Sequence, residues 1–296
     1  MHVKTTTLFT SMLVAIQFAA YHSPTFAYQT EAGGSFGSVT RDGTVNKYTT
    51  TESTVVILPF VLTDTTTTVE RVDLDETDYT FDVHGTYYLS DIRNQDGPRA
   101  YDAFLAKASF VNGELYYDGS GNVLNIGGRY LLEQLEQADG VFVEGGFVAG
   151  SNDSYTRDSF TISGGKYLTG TSTIMASLHN VDSDDSGKDT ILGLTYQNLL
   201  ALPESQYVGL TGGVGFGDYN YIFGEGEFFL TKDISAGAGL NRLDDDDYEH
   251  WQLSLFGAFF IEPNIKTYVE YSYRDIEAWF GEYDQNTFQV GVDLRF

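Results

Sequence analysis

The chain of 296 residues has no cysteine, five prolines and two tryptophans, and its 16 lysines and arginines face 42 acidic residues. Each shortage closes off a class of protein. Without cysteine there is neither a disulfide framework nor a thiolate metal site. A formal charge of −26 argues against nucleic acid as a partner, because phosphates would meet a surface of their own sign. Long apolar runs are missing as well. Residues 8–20 form the longest, and a spanning helix needs about 20 residues. Residues 54–62 form a shorter run, interrupted by Pro59.

The run at 8–20 follows Lys4 and gives way to Ser23-Pro24 and the small-ended Thr25-Phe26-Ala27. That order reads as a secretory signal, residues 1–27, cleaved before Tyr28. The remainder, 28–296, loses one lysine and no acid, so 15 basic residues stand against 42 acidic ones. It is expected to form one domain.

What fills that domain is aromatic and glycine-rich: 21 tyrosines, 21 phenylalanines and 32 glycines. They recur in short alternating runs, most regularly at the end of the chain. There Phe288, Val290, Val292, Leu294 and Phe296 share one face, and Thr287, Gln289, Gly291, Asp293 and Arg295 share the other. This is the period of a strand with one apolar and one polar side. In a membrane β-barrel the outward side chains meet lipid, the inward ones meet water, and the last strand pairs with the first so that no edge stays open.

The same pattern predicts strands at 28–39, 77–89, 111–117, 124–132, 140–150, 158–167, 171–181, 190–199, 206–217, 220–230, 234–243, 247–260, 265–274 and 285–296. The expected fold is therefore all-β, a transmembrane antiparallel up-and-down barrel of about 14 strands, within a range of 12 to 16. Short turns at 134–139, 169–170, 203–205, 232–233 and 262–264 alternate with longer acidic or aromatic loops at 151–157, 182–188, 244–246 and 275–283, as periplasmic turns alternate with extracellular loops. The Thr-rich stretch 40–76 is expected as a large external loop whose apolar part folds back into the lumen, or as an added hairpin. Pro98 opens a short helix at 99–107, in a periplasmic turn.

The signal sequence followed by Tyr28-Gln29-Thr30-Glu31, the block Tyr87-Tyr88-Leu89 leading through Gly97-Pro98 to Ala103-Phe104-Leu105-Ala106-Lys107-Ala108-Ser109, and the terminal Phe296 together give the chain its likeness. It resembles the general bacterial porins of Gram-negative outer membranes. The resemblance implies an integral outer-membrane channel surrounded by lipid and lipopolysaccharide, a possible homotrimer, and a terminal phenylalanine that the barrel-assembly machinery reads.

The strand phases send Asp82, His84, Glu114, Arg129, Glu144, Glu225, Glu227, Lys266, Glu270 and Arg274 inward. As pore-lining residues they would favour cations mildly, since acids outnumber bases, and some would instead pair across strands. Phe288, Val290, Val292, Leu294 and Phe296 are the expected assembly signal. The function expected is passive diffusion of small hydrophilic solutes and ions, with no catalysis, cofactor or metal; a barrel with a blocked lumen in a structural or surface-interaction role is the alternative. The aspartates at 182–189 and 244–247 lack the spacing of a calcium loop and read as solvated charge. His250 near Asp247, and His179 among serines, supply no recognisable set of acid, base and nucleophile. Tyr87, Tyr130, Tyr167, Tyr196, Tyr207, Trp251, Tyr271 and Tyr273 are placed at the lipid–water boundary, with a sugar-stacking track in the lumen as the sharper alternative.

Overall fold

A computed structural model describes residues 27–296 other than 58–59, 94, 120, 133–139, 153–155, 184–186, 246–247 and 280, with the side chains of 47–68, 152–157 and 183–187 left aside. The expected signal segment lies outside the described residues, apart from Ala27. Fourteen strands close into one barrel. They are β1 (Ala27–Ile57), β2 (Phe60–Arg93), β3 (Phe110–Tyr117), β4 (Gly121–Leu131), β5 (Val141–Asn152), β6 (Thr156–Thr169), β7 (Ser172–Ser183), β8 (Gly187–Ala201), β9 (Tyr207–Gly217), β10 (Asn220–Thr231), β11 (Ile234–Asp244), β12 (Tyr248–Glu262), β13 (Ile265–Ala278) and β14 (Gly281–Arg295). Every strand pairs with its sequence neighbours, and β14 closes on β1 from Glu31↔Arg295 to Val45↔Gly281. No edge is left to template aggregation.

The alternation builds this barrel inside out relative to a soluble protein. Leu192, Leu194 and Tyr196 on β8, Ile222, Phe228 and Leu230 on β10, and Leu253, Leu255 and Phe259 on β12 are all exposed on the outer face. Asp82, Asp102, Asp293 and Arg295 are buried. A continuous apolar belt of this extent is stable only against lipid.

On the inner wall, aromatic rings face glycines directly across strand pairs. Phe142 faces Gly165, Tyr221 faces Gly215, Phe223 faces Gly213, Phe256 faces Gly237 and Tyr268 faces Gly291. A Cβ on any of these glycines would run into the ring opposite. The glycines are therefore the beds on which the rings lie along the wall, a close-approach role that only a missing side chain provides.

The loops differ from expectation. The stretches read as long acidic loops are mostly strand: β5 and β6 run on to Asn152 and from Thr156, β7 and β8 to Ser183 and from Gly187, and β13 and β14 to Ala278 and from Gly281. Ladder hydrogen bonds need only backbone, so a strand continues past the apolar belt once its side chains can meet water on both faces. The stretch 40–76 is the extreme case. It takes the hairpin alternative, not the inward loop, because β1 and β2 stay paired for twelve further pairs beyond the barrel ladder, from Asn46↔Arg71 to Ile57↔Phe60. At about 3.3 Å per residue this ribbon extends about 40 Å past the start of β14.

Candidate functional site: the barrel lumen

All ten sequence-predicted lumen residues stand on the strand face opposite the exposed apolar row. The structure gathers them into distinct groups. Asp82 and His84 on β2 meet Asp293 on β14 and Lys266 on β13: His84 Nδ1 is 2.6 Å from Asp82 Oδ1, His84 Nε2 is 3.0 Å from Asp293 Oδ1, and Lys266 Nζ donates to Asp293 Oδ2 at 2.7 Å. Glu114, beside them on β3, accepts from Asn125 at 3.5 Å. Arg129 on β4 pairs with Glu144 on β5 and lies over the Phe142 ring, 4.3 Å from its centroid. Arg274 on β13 donates two hydrogen bonds to Gln252, at 2.9 and 2.6 Å. Glu225, Glu227 and Glu270 are different. None has an ion pair among the described residues, and Glu225 feels the charges of the other two.

The short helix expected after Pro98 is present, but its course across the barrel was not foreseen from the sequence. Between β2 and β3 the chain runs through a 3₁₀ turn, Arg99–Tyr101, and a single helical turn, α1 (Asp102–Leu105). Pro98 with extended φ and ψ precedes the turn, where its missing N–H costs nothing. The helix is shorter than the predicted 99–107 because Lys107 takes a positive φ of 50° and turns the chain back toward β3.

This segment does not hang in the periplasm; it lies across the end of the barrel. Tyr101 packs on Leu199 of β8 and Phe229 of β10, and Phe104 packs against Leu131 of β4, Phe142 of β5 and Tyr167 of β6. Polar bonds anchor it to the rest of the rim. The Arg99 N–H donates to Lys232 O at 3.0 Å, the Arg99 side chain pairs with Asp233, Lys232 Nζ bonds Asp96 at 3.1 Å, and Arg295 Nη1 donates to Arg99 O at 3.0 Å. Contacts thus reach β4–β6, β8, β10, the β10–β11 turn and β14.

At the centre of the segment sits Asp102. Burial pushes its carboxyl up to about 6, against the pull of the Gln95 N–H and of Arg295, Arg99 and Lys232. Burial likewise pushes the Tyr101 phenol up to about 12. The signals available in sequence were Arg99 and Asp102 inside an otherwise apolar turn, and Asp293 and Arg295 on the polar face of the last strand.

The remaining expectations divide. Tyr87, Tyr130, Tyr196, Trp251 and Tyr271 are exposed on the outer wall, whereas Tyr167 points inward and donates to Phe104 O at 3.2 Å. Tyr207 OH reaches Asp96 O at 3.5 Å, so it too serves the crossing segment. His250 Nε2 is 3.1 Å from Asn241 Oδ1, and His179 Nδ1 is 2.5 Å from Thr161 Oγ1; neither contact is with a carboxylate. Asp184, Asp185, Asp246 and Asp247 fall outside the described residues, and no metal-holding cluster occurs among those described. Of the terminal residues, Phe288, Val290 and Phe296 are exposed on the outer wall, Val292 is half-buried and Leu294 buried. The backbone of Phe296 closes the seam: its C=O accepts from Gln29 and Thr30 at 2.8 and 3.0 Å, and its N–H donates to Thr30 O at 2.9 Å.

Comparison with known proteins adds to this geometry. The crystal structure of the Acinetobacter baumannii outer membrane protein Omp33 is similar over 92% of this chain and 100% of its own, with a TM-score of 0.62 at 16% identity, a likeness of fold. A KdgM porin is similar over 60% of this chain and 93% of its own, with a TM-score of 0.40 at 14% identity. No curated protein matches. The family described as "Putative general bacterial porin" matches residues 64–222, more than half of the chain. With its closed, lipid-facing barrel of fourteen strands, the chain belongs to this family of Gram-negative outer-membrane porins.

Proposed function

We propose that the chain forms a mildly cation-selective diffusion channel for small hydrophilic solutes and ions. The observation that carries this reading is the charge of the inner wall. Asp82, Glu114, Glu144, Glu225, Glu227 and Glu270 face the lumen against Arg129, Lys266, Arg274 and His84. Arg129 and Lys266 are already held by carboxylates. A low-dielectric wall focuses that excess negative potential into the water it encloses, raising cation and lowering anion concentration. Family and fold point to a channel, not an enzyme.

The crossing segment 95–109 supports one refinement, in which the barrel rests closed at its periplasmic end and conducts when the segment leaves. The blocked barrel with a structural role is the same arrangement with a segment that never moves. Planar-bilayer recording separates the two. Under a potassium chloride gradient the channel reading expects a reversal potential on the cation side that shrinks as salt is raised, since the Debye length falls from about 10 Å at 0.1 M to about 3 Å at 1 M. An anion preference would overturn the selectivity. Absence of current in wild type and in a variant with the Arg99 and Asp233 side chains truncated would favour the structural role.

A further inference from the structure

On one side of the lumen the wall is not simply hydrated and charged. Phe223, Phe256 and Tyr268, from β10, β12 and β13, border a cavity of about 370 Å³ together with Glu225, Glu227 and Glu270, and Ala100 of the crossing segment forms part of it. The volume lies within the usual size of small-molecule sites, roughly 300–1,000 Å³. Each ring is bedded on the glycine opposite it, Gly213, Gly237 and Gly291, so it lies along the wall. Ring surface and carboxylate oxygen therefore line the same space.

The chain itself shows what this combination holds. Lys266, on the cavity's border, has its ammonium 5.2 Å from the centroid of the Tyr268 ring and 2.7 Å from Asp293 Oδ2. An aromatic ring and a carboxylate together hold an ammonium here. The same cavity holds Phe223 and Phe256 with Glu225, Glu227 and Glu270; Glu227 bonds Ser235 and feels the Lys266 charge, and none of the three carboxylates has an ion pair among the described residues. Ring quadrupoles attract cations by about 0.5–2 kcal/mol, more so where water is displaced. We propose that this cavity is a binding site for small organic ammonium ions, with diamines fitting best because two ammonium groups can engage separate carboxylates while the alkyl chain lies on the rings. A neutral sugar would stack on the same rings without satisfying the charge, and an acidic sugar would be repelled.

The proposal rests on the cation-selective reading, but its test needs no current. Isothermal titration of the refolded, detergent-solubilised protein with butane-1,4-diamine, in potassium chloride of fixed ionic strength, is expected to show one saturable site. Glu225→Gln with Glu270→Gln should weaken binding at least tenfold. Phe223→Leu with Phe256→Leu should weaken the diamine severalfold while leaving the carboxylates in place, a loss that general attraction to an acidic wall would not give. Heat-modifiable mobility in dodecyl sulfate checks that each variant is folded; if the phenylalanine pair fails this check, Phe223→Leu alone is titrated.

A diamine signal no stronger than added potassium would overturn the site. So would maltose binding in preference to the diamine, or unchanged binding in the phenylalanine variants. Saturable diamine binding in a barrel that never conducts would leave the site standing and remove the channel reading. Conduction without diamine binding would do the reverse.

Discussion

The guanidinium of Arg295, at the end of the last strand, lies 3.6 Å from the carboxylate of Asp102, on the segment that crosses the barrel, and both side chains are buried. The same guanidinium donates to Arg99 O at 3.0 Å, stands 3.4 Å from Glu31 of β1, and lies over the rings of Tyr28 and Phe260, 4.7 Å from each ring centroid. One side chain thus ties the strand that closes the barrel to the segment that crosses it. Replacing Arg295 by Met should keep the ring contacts and leave the buried Asp102 and the half-buried Glu31 without their shared guanidinium. Breaking a buried pair from one side costs about 3–5 kcal/mol, and the segment can escape that cost by leaving the barrel. Single-channel recording should show higher open probability in Arg295→Met, with a lower unfolding temperature in dodecyl sulfate. An unchanged open probability would mean that the segment is held by its apolar contacts alone.

Asp102 gives the closure a pH dependence whose sign follows from its burial. Its carboxyl titrates at about 6 in place, above the ordinary 3.8 it regains once solvated. The closed state therefore binds a proton more tightly than the open one between those values, and linkage makes closure more stable as pH falls through 6. The groups around it are Arg295, Arg99, Lys232, Glu31 and the phenols of Tyr28 and Tyr88. Conductance should therefore fall between pH 7 and pH 4. Asp102→Asn keeps the oxygen that accepts from the Gln95 N–H and mimics the protonated acid, so at pH 7 it should conduct as wild type does at pH 4. Rising conductance on acidification would show that another group controls the gate.

Much of this was legible in the sequence, and the reasons are local. The period-two pattern of Phe288 to Phe296 located β14, and the same pattern gave β3 to β13 and the strand count, because each side of the wall meets one solvent. The strand face on which the ten charged residues stand followed from phase alone. What could not be read was pairing at a distance. The contacts of Asp102 with Arg295, Arg99 with Asp233 and Phe104 with Tyr167 join residues 63 to 193 positions apart, and nothing periodic marks the segment that makes them. The paired ribbon of β1 and β2 was left open between a loop and a hairpin for a different reason. Its threonine and aspartate content reads as loop by composition, while its ladder is made by backbone.

Phe296 offers two roles that a deletion would confound. Its backbone closes the seam to Gln29 and Thr30, and its side chain is exposed on the outer wall. We propose that the ring, with Phe288, Val290, Val292 and Leu294, is read by the barrel-assembly machinery. Phe296→Ala keeps the seam and removes the ring. Membrane yield in cells should drop several-fold for Phe296→Ala while refolding into detergent, which needs no machinery, stays near wild type. Equal losses in both would assign the residue to seam stability instead.

The pairing of Phe142 with Gly165 predicts a reciprocal pattern. The ring is fully buried and occupies the space a Cβ on Gly165 would take. Gly165→Val should destabilise by about 1–3 kcal/mol through overpacking, and Phe142→Ala by about 3–5 kcal/mol through the space it leaves. The two substitutions together should cost less than their sum, since the new valine enters the vacated volume; contacting pairs commonly couple by about 0.5–3 kcal/mol. Strict additivity in thermal or urea unfolding would show that ring and glycine pack independently.

The projecting ribbon is separable from the channel. Its twelve pairs from Asn46↔Arg71 outward lie past the last β1–β14 pair, Val45↔Gly281, so no barrel ladder depends on them. At its base Arg41 clamps Asp78 at 3.2 Å and Asp118 at 3.1 Å, tying β1 to β2 and to the β3–β4 turn. Excising 47–70 and joining Asn46 to Arg71 through an Asn-Gly turn, which suits the twist of a two-residue hairpin, should leave heat-modifiability and single-channel conductance unchanged. Adding Arg41→Ala to the shortened chain should lower the unfolding temperature, because Asp78 and Asp118 lose their shared cation. If the excision alone changed conductance, the ribbon would have to bear on the lumen, which the continuous β1–β2 ladder opposes.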